Sequence, residues 1–295
     1  MPEDWADKIA QQLLTRGLIQ TGICLILGAS DTGKTTLTAA LAKYLVSQAG
    51  KKDRVGIIDA DIGQSHIGPP TTVGWALLDS PRVDFSELAV GGISFVGDIT
   101  PVGHLLQLTA AIVQCVRQVS EAAGLMIIDT PGFISGPAAA ALWWTVQQIL
   151  KPKLILAVRH NDELSDILAG LHALDLQLER IESPPQIRRK SPEDRRSYRQ
   201  SRFAKYFQDS RLYNISLNDM AIQSGRNLNR EGLLSRLVAL RDGEGTDVTI
   251  GVITDWQKGD NIVVVKAPQL DIRRIRCLVV GNVTLNIAGV QIPDE

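Results

Sequence analysis

Little in this sequence points to disulfides, membranes or a charge-driven coat. It has three cysteines, Cys24, Cys115 and Cys277, far apart and with no CxxC pair. That usage argues against a structural zinc or iron–sulfur centre and fits a reducing compartment, so a cytoplasmic location is expected. No apolar run reaches roughly 18 residues, so neither a membrane-spanning helix nor a membrane partner is expected. The opening stretch, MPEDWADKIAQQLL, is acidic and amphipathic and does not read as a signal peptide. Charge of one sign is missing too: 31 Lys and Arg stand against 32 Asp and Glu, for a net charge of -1. Near-neutrality excludes a generally basic nucleic-acid coat protein and leaves room for a local basic patch. There is no strong internal repeat and no low-complexity tract.

What is present describes a soluble globular chain. Of its 295 residues, 44% are hydrophobic and 21% charged. That length suits one large domain, alone or with a small companion, and buries roughly 70–75% of the extended surface without disulfide help. Residues 1–20 read as a short helix. Apolar strand runs at 22–27, 54–58, 93–96, 124–128 and 153–158 alternate with helix candidates at 34–49, 102–122, 137–150 and 162–174, with Gly50 closing the first of these. The strands are continuous apolar runs, which is the pattern of a mostly parallel sheet covered on both faces by helices. The expected fold class is therefore α/β. Beyond RDGEGTD (241–247) the chain turns to short β-type runs with turn signals at Asp260-Asn261 and Pro268. The expected organisation is an N-terminal helix (1–20), a main domain (21–240) and a small C-terminal β module (246–295).

Gly28-Ala-Ser-Asp-Thr-Gly33-Lys34-Thr35 matches GxxxxGK[ST], after an apolar strand and before a helix. In that context the fold class narrows to a P-loop NTPase. Backbone N–H groups of such a loop converge on phosphate, and the helix N-terminus adds positive potential. Lys34 is expected on the β- and γ-phosphates, Thr35 on Mg2+ and Thr36 near the α-phosphate; Gly28, Ser30, Asp31, Thr32 and Gly33 complete the cofactor-binding set.

The reaction type needs further residues. Asp59 ends the second apolar strand, and Asp61 follows it by two. A hydroxyl kinase needs one group to organise metal and another to position the acceptor and take its proton. Asp59 and Asp61 can divide those roles, or one can simply cap the following turn. Asp129-Thr-Pro-Gly132 has the DxxG form of a GTP switch, but no NKxD element follows; the strand at 153–158 leads into Arg159-His160-Asn161-Asp162-Glu163. Residues 180–211 carry ten Lys and Arg against four Asp and Glu. Ser191-Pro192-Glu193-Asp194 is a helix start, and the helix to about Phe207 places Arg195, Arg199 and Arg202 on one face. Such a helix is a lid over phosphates, a nucleic-acid contact, or a solvated charged face.

Taken together and in order, these blocks resemble the polynucleotide 5′-hydroxyl kinase family that includes the RNA-processing kinases of the Clp1 and Grc3/NOL9 type. Four blocks carry the resemblance: GASDTGKTT; the DxDxGQ block from Asp59 to Gln64 with Ile67–Pro70 after it; FVGDITPVGHLL (95–106); and IIDTPGF, which is similar to the family's clasp. The Arg-rich segment near 188–207 resembles its lid. The resemblance implies ATP and Mg2+ as cofactors and 5′-hydroxyl RNA or DNA ends as partners; protein partners stay unknown. It implies Lys34, Asp61, Arg195 and Arg199 as catalytic residues, with Asp61 the general base. It puts Asp59 with Thr35 at the metal and Gln64 beside the nucleotide. Thr130, Gly132 and Phe133 would form the clasp, with Phe133 stacking on a substrate base; Arg196 and His104 would touch substrate, with Arg202 and His66 as weaker candidates. Only about 20 residues precede the core, where eukaryotic relatives carry a β domain that packs on adenine. Looser base selectivity is therefore expected. An ATPase or GTPase, a small-molecule kinase and a nucleotide-dependent adaptor are the other readings.

Overall fold

The structure, a computed structural model, describes residues 2–19, 21–48, 54–81, 87–171, 176–184, 186–218, 220–224, 231–257, 259, 261–286 and 291–292. Gly50 and Asp260, the expected helix stop and turn residue, lie outside them. The first half is built from α1 (Pro2–Thr15), β1 (Gly22–Gly28), α2 (Lys34–Gln48), β2 (Val55–Asp59), β3 (Thr72–Leu78), β4 (Gly92–Phe95), α3 (Leu105–Ser120), β5 (Leu125–Asp129), α4 (Gly136–Leu150), β6 (Leu154–Arg159), α5 (Ser165–Ala169), β7 (Gln177–Glu182) and α6 (Pro192–Phe207). Their strands make a seven-stranded sheet in the order β4-β3-β2-β5-β1-β6-β7. From β2 through β7 the neighbours are parallel; β3 and β4 add an antiparallel edge.

Burial explains the strand runs. Every residue of β2 and β5 is buried, as a strand covered by helices on both faces requires. One face packs against α3 and α4 through residues such as Ile112, Val119, Trp143 and Val146. The other packs against α1 and α2 through Ala6, Ala10, Leu37 and Leu41. The short N-terminal segment is thus part of the core layer. Two strands of this sheet escaped the sequence reading. β7 (QLERIE) is an edge strand with mostly half-exposed and exposed residues, so it has no apolar run to betray it. β3 (TVGWALL) follows a Pro- and Gly-rich turn and runs against its neighbour. The helix expected over 162–174 is only α5, Ser165–Ala169.

The second half is a separate seven-stranded sheet: β8 (Arg211–Ser216), β9 (Ala221–Ser224), β10 (Arg236–Asp242), β11 (Asp247–Gln257), β12 (Ile262–Ala267), β13 (Ile275–Leu285) and β14 (Gln291–Ile292). It therefore begins at Arg211, not at 246. The reason is long-range pairing: β8 bonds to β12, and β10 sits between β11 and β13. The two halves meet across α6, whose Phe203 and Phe207 are buried with Ile93 and Phe95 of the first sheet and Leu237, Ile250 and Val283 of the second. Asp247 joins them by hydrogen bonds: its buried carboxylate accepts from the Phe95 N–H at 2.7 Å and from two donors of Arg241.

Candidate active site

β1 delivers the chain to the loop at the carboxyl edge of the sheet, where open α/β folds hold their ligands. Asp31 has φ 57° and Gly33 has φ 95°, left-handed positions of the kind that let successive N–H groups of a loop converge on an anion. A side chain at Gly33 would strike Ile187 and the Trp5 ring, which lie against the loop. Trp5 is itself held by its indole N–H donating to the Glu182 carbonyl at 3.0 Å. Ser183 donates to the Thr32 carbonyl at 2.8 Å from the same side. Lys34 begins α2 and is buried; its Nζ donates to the Ala29 carbonyl at 2.6 Å. Burial pulls the Lys34 ammonium down, while Asp129, Asp61 and Asp31 pull it up.

A cleft of about 280 Å³ opens above the loop. Ser30–Thr36 form its floor, Asp61 and Gln64 one wall, and Arg195 of α6 part of its roof. Asp61 Oδ1 accepts from the Gly63 and Gln64 N–H groups at 3.1 and 3.0 Å, which fixes the turn after β2. Its Oδ2 has no hydrogen bond among the described residues. Gln64 Nε2 donates to the Gly63 carbonyl at 2.8 Å and to the Arg195 carbonyl at 3.2 Å, tying that turn to the Arg-bearing helix.

The carboxylate nearest the loop hydroxyl is Asp129. Thr35 Oγ1 donates to its Oδ2 at 2.6 Å, and its buried Oδ1 has no hydrogen bond among the described residues. Asp129 ends β5, which bonds directly to β1, with Ile26 opposite Asp129. Asp59 lies one strand further out and is buried. Its oxygens accept from the N–H groups of Asp61, His66 and Ile67 at 3.1, 2.5 and 3.0 Å. The expectation that Asp59 joins Thr35 at a metal thus meets a different geometry: Asp59 holds up the loop, and Asp129 stands beside Thr35. Burial pushes both carboxyls up to about 7; Asp59 adds to the rise at Asp129, and Asp61 to that at Asp59. Among the described residues no group of three or more His, Cys, Asp or Glu is placed to hold a metal. An orphaned carboxylate oxygen beside a Thr hydroxyl fits a cation of the Mg2+ type, which takes one or two protein oxygens and completes its shell with phosphate and water.

The matching family model is that of the P-loop of the mRNA cleavage and polyadenylation factor Clp1, and it covers residues 28–209. The chain belongs to this Clp1 P-loop family. Among curated proteins it is similar to a polyribonucleotide 5′-hydroxyl-kinase of Pyrococcus abyssi, with 34% identity over 198 residues, 67% of this chain and 54% of that one. It is 33% identical over 225 residues to one of Pyrococcus horikoshii, covering 75% of this chain and 59% of the relative. It is 30% identical over 198 residues to one of Methanocaldococcus jannaschii, covering 67% and 54%. The chain spans only a little over half the length of these relatives. Among solved structures, Clp1p in complex with Pcf11p matches with a TM-score of 0.70 at 13% identity, over 94% of this chain and 77% of that one. At that identity the likeness concerns the fold.

Within this Clp1-type fold the remaining candidates separate. Arg195 and Arg199 lie on the roof helix: Arg195 donates to Asp31 Oδ2 at 2.5 Å, while half-buried Arg199 makes no hydrogen bond among the described residues. Burial, Arg196 and Arg195 all lower the Arg199 guanidinium. Arg202 instead donates to the His66 and Gly68 carbonyls at 2.6 and 2.9 Å and anchors the helix. Arg196 is exposed. Gly132 abuts Ser30, where a Cβ would collide with the phosphate-binding loop. Thr130 is buried with its hydroxyl on the Ile26 carbonyl at 2.6 Å, a strut between β5 and β1 rather than a cleft residue. Phe133 is half-buried against the main core and is not among the residues lining the cleft. His104 belongs to another place: it lines the groove between the two sheets and meets the Asn282 amide at 2.8 Å. His66 lines the cleft and lies against Tyr198, with ring centroids 5.5 Å apart. Asp129, Tyr198 and Lys190 are what the sequence reading missed at the site. The signal for Asp129 was an apolar strand ending in Asp, read there as half of a GTP switch.

Proposed function

We propose that the chain is an ATP-dependent polynucleotide 5′-hydroxyl kinase acting on RNA ends, with DNA ends as further acceptors. The observation that carries this reading is Asp61: a carboxylate with one oxygen fixed by two backbone amides and the other unbonded, across a cleft from Lys34 and Thr35. A hydrolase needs only to orient water; a kinase needs an acceptor-side base held clear of the nucleotide. The names of the archaeal relatives support RNA as acceptor. Asp61 Oδ2 takes the proton of the 5′-hydroxyl as its oxygen bonds to the γ-phosphorus, and the bond from that phosphorus to the β–γ bridging oxygen breaks. Lys34 and the loop N–H groups hold the charge that gathers on the departing diphosphate. Thr35 and Asp129 would hold Mg2+, which when bound would neutralise phosphate charge. Arg195 and Arg199 face the transferring group and exclude water from it. GTP as the specific nucleotide is less favoured, because the stretch after β6 reads Arg159-His160-Asn161-Asp162 where a guanine-reading NKxD element would stand, and Asp162 is paired with Arg159 at 3.0 Å. Three buried free cysteines support a cytoplasmic setting. No helix among the described residues is long and apolar enough to cross a membrane.

The test uses γ-labelled ATP, Mg2+ and matched RNA and DNA oligonucleotides with 5′-hydroxyl or 5′-phosphate ends. Label is expected on 5′-hydroxyl strands alone, and not with Lys34→Ala or Asp61→Asn. Release of inorganic phosphate without labelled oligonucleotide would make the chain a hydrolase or an adaptor.

A further inference from the structure

Asp31 was expected among the cofactor-binding residues, but a carboxylate in a phosphate cradle repels the anion it would have to bind. Its geometry gives it another partner. At φ 57° it occupies the left-handed region, which Asp tolerates better than most side chains. Its Oδ2 accepts from the Lys190 N–H at 3.2 Å and from Arg195 Nη2 at 2.5 Å. These two donors flank Ser191, the cap of α6, so one carboxylate oxygen grips the first turn of the helix from both sides. Asp31 is 12% exposed and Arg195 29%, which makes the pair stronger than a surface bridge. Arg195 Nε leans on the Lys190 carbonyl at 3.4 Å, and its Nη1 has no hydrogen bond among the described residues. Arg195 lines the same cleft as Lys34, Thr35 and Asp61. Arg199, one turn along, has no such tether.

We propose that Asp31 is a positioning residue: it docks the Arg-bearing helix on the phosphate-binding loop and holds one edge of the Arg195 guanidinium so that the other edge faces the transferred phosphoryl group. This rests on the kinase reading of the cleft. Asp31 touches neither nucleotide nor acceptor; it acts through Arg195.

Two measurements on the full chain test this, with Asp31→Ala, Asp31→Glu, Arg195→Ala and the Asp31→Ala/Arg195→Ala pair. The first is limited trypsin cleavage within 188–202, followed by mass spectrometry without nucleotide. Docking by Asp31 predicts severalfold faster cleavage in Asp31→Ala and partial protection in Asp31→Glu. The second is transfer to 5′-hydroxyl RNA. Asp31→Ala is expected to lower kcat roughly tenfold, with KM for ATP changed by less than about threefold, and to add nothing once Arg195 is Ala. Unchanged trypsin cleavage in Asp31→Ala overturns the docking. A loss of transfer that adds fully to that of Arg195→Ala, or tighter ATP binding with kcat unchanged, overturns the positioning role. If the kinase reading itself fails, no variant transfers phosphate, and the cleavage measurement still decides whether Asp31 docks the helix.

Discussion

Asp59 and Asp129 face each other in the register of β2 and β5, both buried, and their titration has a definite sign. Unfolded carboxyls ionise near pH 4, whereas burial lifts these two to about 7 in the folded chain. Between those values the unfolded chain has released protons that the folded chain keeps. Their contribution to stability is therefore greatest below about pH 4, declines as pH rises, and levels off above about 7. Thermal melts of the protein in a chelator at pH 5 and pH 8 are expected to differ less in Asp59→Asn or Asp129→Asn than in the native chain; an equal or larger difference would refute the assignment. On the reaction side the two are expected to part. Asp129→Asn should raise the Mg2+ concentration needed for half-maximal transfer, while Asp61→Asn should lower kcat by roughly 10²–10⁴-fold without moving the Mg2+ dependence. A Mg2+ titration of both variants checks this.

Among the elements, α6 carries the most conflicting demands. It is strongly polar along its length, yet Phe203 and Phe207 must enter the seam between the sheets while Arg195 lines the cleft. Its start is a complete capping box, with Ser191 and Asp194 each bonding the other's backbone N–H. Loss of the Ser191 hydroxyl is expected to cost about 1 kcal/mol. Because the cap adjoins Asp31, that cost should appear as faster proteolysis at the helix start rather than as a large drop in melting temperature. Phe203→Ala leaves a cavity where three layers meet and should cost roughly 3–5 kcal/mol in global stability by denaturant titration. A reversed order, with the cap the more damaging of the two, would mean that α6 is held by its first turn alone.

At the scale of the whole molecule, the second sheet secures the C-terminal half of α6. It covers Ile93 and Phe95 of the first sheet, and Tyr206 bonds into it through the Thr249 hydroxyl at 2.7 Å and the Ile250 N–H at 3.1 Å. Asn282 bonds the Gly97 carbonyl, Asp98 and His104 across the same seam. A chain ending at residue 210 would expose that apolar face, and sedimentation should show aggregation even with the P-loop intact. Asp247→Ala is the milder version: it leaves Arg241 and the Phe95 N–H without their shared acceptor, and about 3–5 kcal/mol of destabilisation is expected. A soluble, monomeric 1–210 fragment that transfers phosphate would show that the second sheet is dispensable.

Local order and composition determined much of this protein. The phosphate-binding loop was legible because eight consecutive residues make it, and the capped helix was legible because Ser-Pro-Glu-Asp is a local signal. Fully buried β2 and β5 announced themselves as unbroken apolar runs; β7, half-exposed at an edge, could not. What the sequence left open was adjacency. Two strands of the first sheet end in Asp, and nothing local says which lies beside β1. Sheet order put β5 there, so Asp129 met Thr35, and Asp59, one strand away, was left to the backbone of its own loop. The same holds for Asp31 and Arg195, 164 positions apart in the chain, and for the second sheet, whose first strand finds its partner in β12. Contacts between distant segments depend on how layers pack, and only the tertiary structure decides them.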